Sequence, residues 1–295
     1  MTMRIERVLV PVDFSPPSSV AVNYGIALAR KFNAALALLH VVQVPGVNAY
    51  AFAVENLWIE KEHREQAVRM LSALVAPEDQ DDRDLQLFVK TGAIEDEISR
   101  TIDEYHADIV VMGAHGRGLF GRWLIGSVTQ HLLRRVQVPI LTVNRLARPL
   151  AFERLLFATD LSDAADAGFR RVLELAQVTH STLVVVHAVD PPSHISEGME
   201  TVIADTREQM EQARVRLNGL AEEGARQKVK VETVLVEARA AEAIFKAAED
   251  NAVDMIVIAV QEKGFIERTL LGATAERVIR ESHLPVLSIP GSAHR

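Results

Sequence analysis

The chain has 295 residues, of which 48% are hydrophobic and 24% are charged, with only 15 glycines and 11 prolines. This composition excludes a disordered or fibrous protein, and the length favours about two domains. The formal net charge of −8 argues against a nucleic-acid-binding protein, and the absence of cysteine excludes disulfides, thiolate metal sites and a thiol nucleophile.

Short apolar runs alternate with longer segments of helical period through the first half of the chain. Strands are predicted near residues 6–12, 35–42, 84–90, 108–113 and 139–143. Helices are predicted between them, near residues 18–32, 55–75, 93–105 and 127–136. The runs are rich in Val, Ile and Leu, which is typical of strands buried on both faces of a parallel sheet. Runs of this length are too short to span a membrane.

The second half of the chain repeats the first. The run VLVPVDFS from Val8 is echoed by LLFATDLS from Leu155, and ADIVVMGA is echoed by VDMIVIAV. Two further pairs, LALLHVVQVP with LVVVHAVDPP and QVPILTVN with HLPVLSIP, have the same spacing of about 146 residues. We therefore predict one duplicated domain, with copies at residues 1–146 and 152–292.

The alternation of strands and helices with short connections predicts an α/β fold. Each copy is expected to be a doubly wound, Rossmann-like domain with a five-stranded parallel sheet flanked by helices. Ligands of such sheets bind beyond the carboxyl ends of the strands, where the strand order reverses. The loops at that edge are therefore the first place to look for a functional site.

A glycine-rich loop follows the fourth predicted strand. Two residues separate Gly113 from Gly116, and nine more lead to Gly126 and Ser127, where a helix is predicted to begin. Glycines that adopt a positive φ let backbone N–H groups approach an anion, and a helix start with a serine can hold a phosphate. The loop is neither a P-loop, which needs Gly-Lys-Ser/Thr, nor a dinucleotide fingerprint, which follows the first strand. An ordinary wide loop with useful turns remains the alternative.

The pattern Gly-x2-Gly-x9-Gly-Ser at 113–127, followed by VTQHLLRRVQVPILTV, resembles the universal stress protein family. The runs VPVDFS near the start and LLHVV at the second strand add to this resemblance, which covers nearly the whole chain. More narrowly, the chain resembles the ATP-binding members of this family in their tandem, two-domain form. The resemblance implies an adenine nucleotide alpha hydrolase-like fold and ATP, with or without Mg²⁺, as the ligand. It also implies a role in stress response or signalling through nucleotide-dependent conformation or partner binding.

The resemblance further implies which residues bind the nucleotide. Asp13 would contact the adenosine, Pro11 and Val12 would line its pocket, and Val41 would offer backbone groups and an apolar surface to the adenine. The residues expected to hold ribose and phosphates are Gly113, Gly116, Arg117, Gly126, Ser127 and Val128. Two alternatives stay open: Asp13 caps the turn and helix that follow it, and Arg117 is an exposed loop residue.

The second copy is predicted not to bind ATP in this manner. It carries Ala259, Glu262 and Ala273 at the positions of two glycines and the serine of the first loop. Ala259 restricts the backbone and Ala273 lacks the hydroxyl, while Glu262 would cost an incoming triphosphate on the order of a few kcal/mol. Asp160 keeps the acid after the first strand of the copy. A mainly structural role follows for this domain.

No catalytic residues and no metal ligands are predicted, because phosphoryl transfer needs a positioned base and cationic clamps. At most slow ATP hydrolysis is expected, and His40 and His187 are interpreted as packed or backbone-bonded histidines. One alternative is an adenylating or ATP-pyrophosphatase-type enzyme, although such enzymes carry a Ser-Gly-Gly-rich loop where this chain has Asp13 and Phe14. Another is an interaction scaffold with a vestigial nucleotide site.

Location and partners are predicted as follows. The first residues run directly into a strand and lack a signal peptide, so we expect a cytoplasmic protein with no membrane partner. The family resemblance implies that the last strands, PILTV from Pro139 and PVLSI from Pro285, pair with each other and form an internal pseudo-dimer. A homodimer and an unidentified protein partner are further expectations, and nucleic acid is not.

Overall fold

The computed structural model describes residues 4–43, 53–77, 79, 85–115, 125–144, 148–191, 199–260 and 271–291. The chain divides into two compact units, Arg4–Ala147 and Arg148–Arg295. Each unit is an α/β domain built on a parallel sheet. None of the described helices is long and apolar enough to cross a bilayer.

The first domain confirms the predicted α/β fold. Its sheet has the order β3-β2-β1-β4-β5 with every pair parallel, so the strand order reverses between β1 and β4. The strands are β1 (Arg7–Pro11), β2 (Ala35–Val42), β3 (Leu85–Thr91), β4 (Ile109–Gly113) and β5 (Ile140–Val143). The helices are α1 (Pro16–Phe32), α2 (Ala53–Ser72), α3 (Ile94–Tyr105) and α4 (Ser127–Leu133).

Consecutive residues of the central strand are buried, as expected for a parallel sheet covered on both faces. Val8, Leu9 and Val10 of β1 each have 0% of their surface exposed. Helix α1 packs closely on this strand, because a Cβ added to Gly25 would lie 2.5 Å from Val10 Cγ2. This contact fixes α1 against the strand that leads into the candidate site.

Several predicted helix ends, including both ends of α2, lie two or three residues from the observed ones, and those of α1 and α4 have local reasons. Helix α1 begins at Pro16 and not at residue 18, because prolines fit the first turn of a helix and Ser15 caps it by accepting from the Ser18 N–H at 3.4 Å. Helix α4 ends at Leu133 and not at residue 136. After it the backbone bonds shift to i→i−3 spacing, as in the 3.2 Å bond from the Arg134 N–H to the carbonyl of His131.

The second domain has the same architecture. Its sheet has the order β10-β9-β6-β7-β8, again with parallel pairs. The strands are β6 (Arg154–Ala158), β7 (Thr182–Val189), β8 (Val231–Glu237), β9 (Met255–Val260) and β10 (Val286–Pro290). The helices are α5 (Asp163–Thr179), α6 (Met199–Arg226), α7 (Ala240–Asp250) and α8 (Ala273–Glu281).

The duplication extends to individual hydrogen bonds at the amino ends of the strands. Asp108 Oδ2 accepts from the backbone N–H groups of Glu6 and Arg7 at 2.8 and 2.9 Å. Asp254 Oδ2 accepts the equivalent pair in the second domain at 2.7 and 2.8 Å. These aspartates tie the fourth strand of each domain to the first strand, at the edge of the sheet opposite to the candidate site.

Candidate functional site

The described residues that were predicted to bind a nucleotide lie at the carboxyl edge of the first sheet. Strand β1 lies between β2 and β4, so Pro11 at the end of β1 and Gly113 at the end of β4 are on the same edge as Val41 of β2. Val12 is buried and Asp13 is half-buried directly after β1. This edge contains the point at which the strand order reverses.

The start of helix α4 is joined to the end of β4. The Gly126 N–H donates to the carbonyl of Ala114 at 2.9 Å, and the Thr129 hydroxyl donates to the carbonyl of Gly113 at 3.0 Å. Ser127, the first residue of α4, is exposed, and Val128 is half-buried. The N–H groups of the first turn of a helix have no partners within the helix, and α4 begins at the carboxyl edge. Sequence reasoning missed Thr129, which no motif marks.

Two predicted site residues, Gly116 and Arg117, lie outside the described residues. The eight others are described, and β1, β2, β4 and the start of α4 bring them to one edge. Their roles toward a ligand stay predictions.

Gly113 is required by packing against α1. A Cβ added at this position would lie 2.8 Å from Pro17 Cβ and 3.2 Å from the carbonyl oxygen of His115. The sequence-based reason, a positive φ that turns donors inward, does not apply to Gly113 or Gly126, because neither has a positive φ. Gly116 lies outside the described residues, so the reason stays a prediction there. Sequence reasoning missed Pro17 because it lies far from Gly113 in the chain.

Asp13 caps the turn that leads into α1. Its Oδ1 accepts from the Ser15 N–H at 3.0 Å and from the Ser15 hydroxyl at 2.6 Å. Asp13 therefore has the capping role that the sequence analysis gave as an alternative to nucleotide binding. A carboxylate accepts up to about four hydrogen bonds, so capping is compatible with a contact to a ligand.

His40 is a backbone-bonded histidine, which confirms its interpretation from the sequence. Its Nδ1 lies 2.7 Å from the carbonyl oxygen of Val12. His187 makes the equivalent contact to the Thr159 carbonyl at 2.9 Å. A carbonyl only accepts, so Nδ1 carries the hydrogen and donates in both domains. The Val12 N–H also donates to the carbonyl of Leu39 at 2.7 Å, so this N–H is already paired within the fold.

The second domain retains the backbone of the loop exit without its hydroxyl. Gly272 precedes α8 with a φ of −60°, close to the −58° of Gly126. Ala273 stands at the first position of α8, where the first domain has a serine. Glu262 lies outside the described residues. Within the described part of the chain, no three His, Asp or Glu side chains are grouped so that they could hold a metal ion.

The helix starts that flank the reversal of strand order differ in charge between the two domains, although α3, which follows the outer strand β3 of the first sheet, carries Glu95, Asp96 and Glu97 in its first turn. The first turns of α1 and α4 contain no acidic residue. The first turns of α5 and α8 contain Asp163, Asp166 and Glu276, and Asp166 forms an ion pair with Arg216 at 3.2 Å. A helix start carries about half a positive unit charge, which acidic side chains offset. Beside the reversal of strand order, the first domain is thus the better anion site, and sequence reasoning missed these three acids because it compared only the loops.

The fold and the site define a class of tandem α/β proteins with a candidate anion-binding edge on the first sheet. The family model described as the universal stress protein family matches residues 4–144 and, a second time, residues 151–290. The chain therefore belongs to the universal stress protein family, in tandem form.

Individual relatives agree with this assignment. A universal stress protein of Mycolicibacterium smegmatis is 26% identical over 291 residues, which are 96% of this chain and 96% of that protein. The universal stress protein MJ0531 of Methanocaldococcus jannaschii is 29% identical over 142 residues, which are 47% of this chain and 82% of that protein. A crystal structure of a universal stress protein from Archaeoglobus fulgidus has a TM-score of 0.68 at 21% identity and covers 97% of this chain and 98% of that one. This last likeness supports the fold alone.

Proposed function

We propose that the first domain binds one ATP at the carboxyl edge of its sheet, and that occupancy changes the conformation of the protein or its choice of partner in a stress response. The observation that carries this proposal is the charge difference between the helix starts that flank the reversal of strand order in the two domains. Helices α1 and α4 begin without acidic side chains, whereas α5 and α8 begin with three. An ATP triphosphate is stabilised by the first arrangement and repelled by the second.

The residues of the first edge fit the two parts of the nucleotide. The N–H groups of Ser127 and Val128, with the exposed Ser127 hydroxyl, suit the phosphates, which bring Mg²⁺ as their counterion. Asp13 suits the adenosine as a hydrogen-bond acceptor, and the apolar Val41 suits the adenine. Gly116 and Arg117 are included in the proposal as members of the same loop.

The proposal is for binding with at most slow hydrolysis. Efficient phosphoryl transfer needs a base or a water-positioning group together with cationic clamps. The described site residues supply Asp13, which caps the turn before α1, and Ser127, and they include no cationic side chain.

The second domain is proposed to have a structural role. Its edge combines Ala273 with the acids at the starts of α5 and α8. The internal pseudo-dimer, self-association of the chain and a protein partner stay predictions.

Calorimetric titration of the nucleotide-free protein with MgATP tests the proposed function. We expect one ATP per chain, and about tenfold weaker binding by Ser127→Ala, because a hydrogen bond to a charged group contributes about 1.5–3 kcal/mol. The matched variant Ala273→Ser should still bind one ATP. Absence of binding by the parent protein would favour a scaffold with a vestigial site. Turnover of ATP to AMP and pyrophosphate would favour the adenylating enzyme.

A further inference from the structure

His40 contacts the residues on both sides of Asp13. Its Nδ1 donates to the carbonyl of Val12 at 2.7 Å, and its ring centroid lies 4.6 Å from that of Phe14 with an angle of 44° between the planes. Phe14 has a φ of 60°, in the left-handed region that a residue with a side chain rarely adopts. Such a conformation persists when the surroundings hold it. The imidazole of His40 is part of those surroundings.

The left-handed turn at Phe14 sets the orientation of the Asp13 carboxylate. It brings Ser15 back toward Asp13, so that Oδ1 accepts from both the N–H and the hydroxyl of Ser15. The backbone at Val12 and Phe14 therefore determines the orientation of the Asp13 carboxylate. His40 holds that backbone at Val12 by a hydrogen bond and at Phe14 by a ring contact.

The second domain keeps the hydrogen bond but not the ring contact. His187 Nδ1 lies 2.9 Å from a backbone carbonyl, and Leu161, with a φ of 59°, stands at the position of Phe14. Leucine cannot make an aromatic contact with the imidazole. Asp160 is exposed, whereas Asp13 is half-buried. The hydrogen bond from the histidine to a backbone carbonyl thus supports the fold of both domains. The ring contact is made by His40 and Phe14 in the first domain, which keeps the complete glycine pattern of the loop.

We propose that His40 is a positioning residue for the nucleotide. Together with Phe14 it holds the turn that presents Asp13 to the adenosine, while its counterpart His187 supports the fold alone. This inference rests on the proposed function of the first domain. It assigns a binding role to a side chain that is not itself expected to touch the ligand.

The two histidines provide a matched pair of variants. ATP affinity and the unfolding midpoint are measured for the parent chain and for His40→Leu, His40→Asn and His187→Leu. We expect His40→Leu to bind ATP about tenfold more weakly, which is the effect of one lost hydrogen bond. His40→Asn should recover only part of the affinity, because its amide N–H can donate where Nδ1 does but its side chain has no ring to contact Phe14. His187→Leu should lower the unfolding midpoint as His40→Leu does, and leave ATP affinity unchanged.

A further variant separates the ring contact from folding. Phe14→Leu copies Leu161, which the second domain accommodates at the same φ, so the variant should fold and bind ATP more weakly than the parent. Unchanged ATP affinity in His40→Leu, or an equal loss in His40→Leu and His187→Leu, would overturn the inference. A parent chain that does not bind ATP would overturn the proposed function as well, whereas a parent that binds beside an unaffected His40→Leu would overturn only this inference.

Discussion

At the scale of single residues, the difference in charge between the two domains is clearest at the fourth position of α4 and α8. The Gln130 N–H donates to the carbonyl of Gly126 at 2.9 Å, and the Glu276 N–H donates to that of Gly272 at 2.9 Å. The two side chains therefore occupy equivalent places, one neutral and one acidic. The charge at this helix start is thus set by an individual substitution on a common backbone.

The variant Gln130→Glu tests the importance of this charge. We expect it to weaken ATP binding up to about fivefold, because a charge near a helix start contributes about 0.3–1 kcal/mol. The effect should be larger at low ionic strength, because salt screens it. Calorimetry at two salt concentrations measures both effects, with the neutral variant Gln130→Met as the control. Equal affinities for the acidic and neutral variants would contradict the electrostatic argument.

At the scale of elements, the two domains pack a helix against the end of the fourth strand in opposite ways. In the first domain the glycine lies on the strand, because a Cβ on Gly113 of β4 would meet Pro17 of α1. In the second domain the glycine lies on the helix, because a Cβ on Gly168 of α5 would lie 2.8 Å from the Cβ of Ala259 on β9. The alanine that replaces the loop glycine is therefore accommodated by a glycine on α5.

A double-mutant cycle tests this exchange. Gly168→Ala should destabilise the second domain by about 1 kcal/mol, since overpacking outweighs the gain in helix propensity. Adding Ala259→Gly should restore most of the free energy of unfolding, because the two side chains are in contact. Urea unfolding measures both terms. Additive effects of the two substitutions would show that the contact is not the cause.

A charged cluster at the amino edge of the second sheet gives a pH-dependent contribution. Hydrogen bonds from Lys230 and Arg154 lower the pKa of Glu232 on β8, and Lys230 Nζ lies 2.6 Å from its Oε1. A carboxylate whose pKa is lowered by folding stabilises the protein above its unfolded pKa. That contribution is lost as the pH falls through the folded pKa.

We therefore expect Glu232→Gln to be less stable than the parent at pH 7, and this difference to shrink as the pH falls below the ordinary carboxyl value of 4.5. The effect should be modest, because the cluster is partly exposed to solvent. Urea unfolding at neutral and acidic pH measures it. A difference that stays constant over this pH range would refute the assignment.

Sequence patterns predicted the elements of the first domain well where burial alone decides them. The prediction of a strand at residues 35–42 agrees with β2, because all of its side chains except His40 are apolar. Helix ends were less accurate, since α1 begins at Pro16 and was predicted to begin near residue 18. The contacts of His40 with Phe14 and of Gly113 with Pro17 had no sequence signal, because they join residues that only the fold brings together.

At the scale of the whole molecule, duplication has given two domains with one architecture and different edges. The family model matches both halves, and the paired aspartates Asp108 and Asp254 make the same hydrogen bonds in each. The scaffold is therefore shared, and the differences are concentrated at the carboxyl edges. A division of labour, with one domain that binds the nucleotide and one that does not, is the central claim of this account.

Hydrogen exchange of the intact chain with and without MgATP tests this claim most directly. We expect ATP to slow exchange in peptides that cover residues 9–19 and 125–133, which hold the turn after β1 and the start of α4. The equivalent peptides of the second domain, at residues 156–166 and 271–279, should exchange at unchanged rates. Equal protection of both sets, or protection of the second set alone, would contradict the account.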